Sequence, residues 1–219
     1  MKIVNMKTTI LVCILIFLGV LLLDQGSKIW VKTTMIEHED IKVFGNWAHI
    51  YFVENSGMAF SMELPGQYGK LALTSFRIIA IFAILYYIVD MIKSQKPKGL
   101  IFCATGIFAG ALGNLIDSIF YGKIFTDSYG QVATIFPENG YAGWLQGNVV
   151  DMLWFPMISG TFPLWFPVWG GESYLFFSPV FNVADAAITV SVFFIIIFQK
   201  SFFPPEIKAE VSSSDSLTN

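Results

Sequence analysis

The chain has 219 residues, of which 55% are hydrophobic and only 13% charged, with a mean hydropathy of +0.63. A soluble domain carries about 25% charge, so this deficit excludes an ordinary water-soluble fold and points to an integral membrane protein. The net charge of −3, with no basic stripe, offers no surface for nucleic acid.

Lys2 and Lys7 precede an apolar run from Thr8 to Leu23. This resembles a cleavable signal peptide, but no small-x-small site follows, and the pattern continues through Ile29, Trp30 and Val31. It reads as an uncleaved first membrane helix over about 8–32. Near its far end Asp24 and Lys28 form an i,i+4 pair in the favoured order, which is either a plain helix-surface pair or support for a site. Residues 36–62 are a different material. From Lys42 onward β-formers alternate with polar residues, predicting short strands at the membrane surface, with a turn at Asn55-Ser56-Gly57. Leu64-Pro65-Gly66 breaks the chain before a second span over 71–92, with Arg77 in its first turns. Lys93, Lys96 and Lys98 make a basic loop.

The third span, 100–120, carries Gly106, Gly110 and Gly113, which lets a neighbouring helix approach closely. Near its end Asn114 and Asp117 lie three apart on one face. Residues 121–180 form an outer insertion rich in aromatics, among them Trp154, Phe155, Phe162, Trp165, Phe166 and Trp169. Pro156, Pro163 and Pro167 rule out one continuous helix there. Such aromatics anchor at the interface or line a substrate entrance. The fourth span runs over about 183–200, and 206–219 is a Ser-rich tail expected to be disordered. Residues 1–205 thus read as one membrane domain: an all-α four-helix bundle with a small extracytoplasmic β-rich cradle. Cys13 and Cys103 read as buried free thiols, and His38 and His49 have no zinc-ligand spacing, so no metal or other cofactor is expected.

In this four-span reading the lysines of the amino-terminal stretch, the 93–98 loop and the carboxyl end share one side. That side is cytoplasmic by the positive-inside rule, with both termini on it. The other side collects Asp24, Lys28, Asn55, Asn114, Asp117, Asp151, Asn182 and Asp185 at one depth. Asp185 stands about one turn inside an apolar helix, where a carboxylate costs up to about 2.5–3.5 kcal/mol and is usually functional. Its candidate partner is Asp151 in Val149-Val150-Asp151-Met152. Two carboxylates held together in a low dielectric share a proton, which is the chemistry of aspartic proteases. Asn114 and Asn182 could orient them. A buried Asp pair also suits a proton or cation relay in a transporter, or a structural contact between helices. Four spans without a repeat favour an enzyme over a transporter.

Five blocks then stand together: Asp24-Gln25-x-x-Lys28, Asn55-Ser56-Gly57-Met58-Ala59-Phe60, Gly110-Ala111-x-Gly113-Asn114-x-x-Asp117, Val149-Val150-Asp151 and Phe181-Asn182-Val183-Ala184-Asp185. In this order they resemble the lipoprotein signal peptidase (signal peptidase II) family. The resemblance implies a multi-pass aspartic endopeptidase of the bacterial inner membrane that is the target of globomycin. Its substrates are prolipoproteins, cut before a cysteine carrying diacylglycerol, and its setting is membrane lipid. It implies Asp151 and Asp185 as the catalytic dyad, with Asp24, Lys28, Asn55, Asn114, Asp117, Asn182 and Ala184 lining or supporting the site. A monomer is expected. Two departures stand out. Ser118 occupies the position where the family usually has Arg, which leaves Arg77 and Lys123 as candidates to replace that charge. The stretches from Asp117 to Asp151 and from Asp151 to Asp185 are longer than the family's usual spacing.

Overall fold

The structure, a computed structural model, describes residues 2–56, 67–176 and 179–204. Gly57 to Phe60 of the second block, the Leu64-Pro65-Gly66 break and the tail from 206 onward lie outside the described residues.

The long apolar runs become helices because nothing in them competes with the backbone ladder. α1 spans Lys2–Thr34. A hairpin follows, of β1 (Asp40–Phe44) and β2 (Ala48–Asn55). α2 spans Gln67–Lys93 and α3 spans Lys98–Ile116. α3 does not stop at Ile116. It widens into a π-turn over Asp117–Tyr121 and ends in a single turn, α4 (Gly122–Ile124). A π-turn frees carbonyls from the helical ladder, and here they find partners. Ser118 C=O accepts from Gly147 N–H at 2.9 Å, and Ile119 C=O from Leu145 N–H at 3.1 Å. The outer segment is thereby stitched to the end of α3.

The helical stretches Met6–Thr34, Tyr68–Lys93 and Lys98–Ile124 are long and apolar enough to cross a membrane. Each of the three is longer than the expected span at that place. Leu15, Leu22 and Leu23 on α1 and Phe76, Ile79 and Phe82 on α2 stand exposed, as a lipid-facing surface requires.

The 121–180 stretch holds strands that periodicity did not reveal: β3 (Val149–Trp154), β4 (Ile158–Thr161), β5 (Ser173–Phe176) and β6 (Val180–Phe181). One antiparallel sheet runs β1-β2-β3-β6, and β4 and β5 pair by themselves. The β structure is therefore larger than the 36–62 cradle expected from sequence. The physical reason is that β3 is buried on both faces, so Val149-Val150-Asp151-Met152 shows no alternation to read. Register places Val53 opposite Asp151 and Asn55 opposite Val149, while Leu153 faces Phe181. β6 thus delivers the chain straight into α5 (Val183–Ile197), and a short α6 (Gln199–Phe202) follows. α5 is about 22 Å long at 1.5 Å per residue, less than a bilayer core of about 30 Å.

α3 is the central helix, packed against α5, α1 and α2. Contact with α5 is close because a methyl at Gly110 would collide with the Ala184 carbonyl, and one at Gly113 with Asp24 Oδ2. Two ends of the molecule differ in chemistry. At one, the start of α1, the α2–α3 turn with Lys96 and Lys98, and Phe202 of α6 against Gly99 come together. At the other, Val31, Met35, Phe52, Tyr121, Phe125, Val150 and Met152 form a buried core between the helices and the sheet.

Candidate active site

The site is assembled at the entry to α5. A helix start leaves backbone N–H groups without intrahelical partners. Here Asn182 is the N-cap. Its Oδ1 accepts from Asp185 N–H at 2.9 Å, and the Asp185 carboxylate accepts in return from Asn182 N–H at 3.4 Å, a capping box. Ala184 N–H donates to Asp24 Oδ1 of α1 at 2.9 Å. The cap that starts α5 therefore also orients Asp185, and α1 supplies part of it.

Asn182 reaches further. Its Nδ2 lies 2.7 Å from Asp151 Oδ1, 3.1 Å from Asn114 Oδ1 and 3.2 Å from the Val150 carbonyl. Asn114 Nδ2 donates to Asp185 Oδ1 at 2.8 Å. Asn55 Nδ2, from the end of β2, donates to Asp151 Oδ2 at 3.2 Å. The acids on β3 and α5 are thus joined through two side-chain amides, and each keeps bound donors that hold its orientation.

Beneath them sits a fully buried ion cluster. Lys28 Nζ contacts Asp24 Oδ2 at 2.9 Å, Asp117 Oδ2 at 2.8 Å and Asn114 Oδ1 at 2.8 Å. An ammonium has three N–H donors, and all three are used. The i,i+4 pair read from sequence is therefore no surface pair: Lys28 and Asp24 are both 0% exposed. Asp117 Oδ1 also accepts from Gln25 Nε2 at 2.9 Å, and its Oδ2 from Val150 N–H at 3.3 Å. The chain of contacts runs from Lys28 through Asn114 to Asp185, and from Asp117 through Val150 to the strand that carries Asp151.

Asp151 is 4% exposed, whereas Asp185 is half-buried. Burial first, and then the neighbouring Asp185 charge, push the Asp151 carboxyl up to about 7. Hydrogen bonds from Asn55 and Asn182 and the Lys28 charge work the other way. Asp151 is thus a carboxyl that keeps a proton near neutrality.

Asp24, Lys28, Asn55, Asn114, Asp117, Asp151, Asn182, Ala184 and Asp185 all fall within this one network. Sequence reasoning passed over Gln25 and Tyr121. Gln25 Oε1 accepts from Tyr121 O–H at 3.1 Å, so it braces the π-turn against α1. Its place beside Asp24 in the first block was the available signal. Tyr121 had none, because a π-turn leaves no periodic mark.

The family model described as signal peptidase (SPase) II matches residues 16–201. The chain belongs to the signal peptidase II family. A lipoprotein signal peptidase of Porphyromonas gingivalis is 46% identical over 179 residues, covering 81% of this chain and 77% of the relative. One from Amoebophilus asiaticus is 36% identical over 212 residues, covering 92% and 86%. A solved bacterial membrane enzyme superposes with a TM-score of 0.57 at 24% identity, covering 89% of this chain and 92% of that one, which bears on the fold. Membership in the signal peptidase II family makes this protein a peptidase, and its three long apolar helices make it a membrane protein.

Proposed function

We propose that this peptidase removes the signal peptide from bacterial prolipoproteins, hydrolysing the bond before the diacylglyceryl-modified cysteine, with Asp151 and Asp185 as its catalytic pair. The observation that carries this reading is the amide bridge Asp151–Asn182–Asn114–Asp185, which links two carboxyl groups of different elements through hydrogen bonds. The names of the relatives supply the substrate class.

The two acids are not equivalent, and this divides the work. Asp151, buried on β3, carries the proton and hydrogen-bonds the scissile carbonyl. Asp185, at the positive end of α5, is the carboxylate that takes a proton from water. The water oxygen attacks the carbonyl carbon while the Asp151 proton passes to the carbonyl oxygen, giving a neutral diol. Asp185 then returns its proton to the amide nitrogen, the C–N bond breaks, and Asp151 recovers its own from the collapsing diol. The products are the signal peptide carboxylic acid and the free amine of the lipidated cysteine. No covalent intermediate forms.

The membrane setting follows from the same reading. With α5 and α6 as the fourth crossing, the lysine-bearing end faces the cytoplasm and the acids lie near the outer face of the inner membrane. The diacylglyceryl chains stay in lipid while the peptide enters between helices. A single chain suffices for the site, and globomycin is expected to occupy the space between the acids.

The test is mass-spectrometric detection of cleavage at the lipidated cysteine by purified protein, with and without globomycin. Asp151→Asn and Asp185→Asn should each lower the rate on the order of a thousandfold or more while leaving a folded, inserted protein. Undiminished cleavage by either variant would remove that acid from the reaction.

A further inference from the structure

Arg77 is the single arginine in the chain and stands on α2. Its Nη1 donates to Ser118 Oγ at 3.1 Å, and Ser118 Oγ donates to the Asn114 carbonyl at 3.0 Å. Ser118 is 2% exposed and directly follows Asp117. The guanidinium is half-buried, and the contacts lead from it through Ser118 to Asn114, whose side-chain amide holds Asp185. A cation inside an apolar helix is costly unless acids face it. Lys123, the other cation in this stretch, is exposed on α4 and has no such position.

The charges around the pair can be counted among the described residues. α1 contributes Asp24 and Lys28, α3 and its π-turn Asp117, β3 Asp151 and α5 Asp185. Four carboxyl groups thus face one ammonium, and α2 adds the guanidinium. We infer that Arg77 is a positioning residue of the Asp151–Asp185 pair, whose charge keeps the pair at one shared proton rather than two. This rests on the peptidase reading above.

The direction of the effect follows from Coulomb's law. Without Arg77 the ionised pair loses an attracting charge, so its second proton is retained to higher pH and the water-activating carboxylate is lost. In Arg77→Gln the acid limb of the kcat/KM–pH profile should therefore move up by about one pH unit. Arg77→Lys should return the limb toward its original place, with a lower plateau, because an ammonium does not reproduce the fixed geometry of the Nη1 donor on Ser118 Oγ. The double variant Arg77→Gln/Ser118→Arg brings the charge back from α3 and should also restore the limb. A purely structural Arg77 would change the rate at every pH and leave the limb in place.

The experiment is the pH profile of prolipoprotein cleavage by the full chain in detergent micelles, with melting temperatures recorded for each variant. An Arg77→Gln limb that overlays the wild type, with Asp151→Asn inactive, overturns this inference and leaves the peptidase reading intact. Activity retained by Asp151→Asn overturns the assignment of the Asp151–Asp185 pair instead. If Arg77→Gln does not fold, the double variant carries the test: a folded, active double variant with a displaced acid limb overturns the inference.

Discussion

At the scale of single residues the proposed chemistry rests on unequal burial of like groups. Asp151 keeps its proton because strand β3 removes it from water, and Asp185 sits half-buried at a helix start. This has a consequence for stability. The folded Asp151 carboxyl is pushed up to about 7 from its ordinary 3.8, so the folded chain holds a proton that the unfolded chain has released. Stability from this group is fully present below the unfolded value and is lost as pH rises through about 7. Asp151→Asn cannot ionise. Melting temperatures in micelles from pH 4 to 8 should show the variant gaining on the wild type as pH rises, and exceeding it at pH 8. Parallel curves would show that Asp151 ionises alike in both states. Asp24 and Lys28 teach a related lesson. Their spacing was legible, but whether an i,i+4 pair is a surface ornament or a buried ion cluster depends on what α3 and α5 place against it.

At the scale of elements, the site depends on how the outer segment is tied to the helices. A second buried cation does this. Lys32 of α1 is 0% exposed, with its Nζ 2.5 Å from Glu54 Oε1 and 3.0 Å from Ser128 Oγ. The rings of Tyr141 and Phe125 lie 4.9 and 5.2 Å from it. Glu54 Oε2 accepts from Asn148 Nδ2 at 3.0 Å, and Lys70 of α2 donates to Asn148 Oδ1. One ion pair thus joins α1, β2 and the start of β3, next to Asn55 and its contact with Asp151. Lys32→Met leaves Glu54 buried without a cation and should cost about 3–5 kcal/mol. The double variant Lys32→Met/Glu54→Gln should recover part of that, as a cycle of thermal or chemical unfolding in micelles would show. Additive losses would show that the two groups act independently. Sequence alone gives Lys32 no role, since a lysine at a helix end is ordinarily a solvated anchor.

At the scale of the whole molecule the lysine-bearing end and the acid-bearing end lie at opposite ends of α3, whose first residue is Lys98 and whose last turn carries Asn114, with Asp117 opening the π-turn that follows. The orientation across the membrane can be tested directly. In a variant with Cys13 and Cys103 replaced by alanine, Ser94→Cys should react only with a membrane-permeant thiol reagent in intact cells. Gln131→Cys should react with an impermeant one. The reverse pattern would turn the protein over and place the acids at the cytoplasmic face.

The sequence by itself determined the membrane class, the long helices, the glycine stripe on α3 and the identity of the polar residues, because each leaves a local mark. Hydrophobic length, small-residue spacing and the cost of a carboxylate in an apolar run do not depend on distant contacts. Only the tertiary structure decided that Asp151 stands on a doubly buried strand, that α5 starts on a cap shared with Asp24, and that Arg77 meets Ser118 across two helices. Those features come from residues far apart in the chain, and no periodicity within a segment records which segment will lie against it.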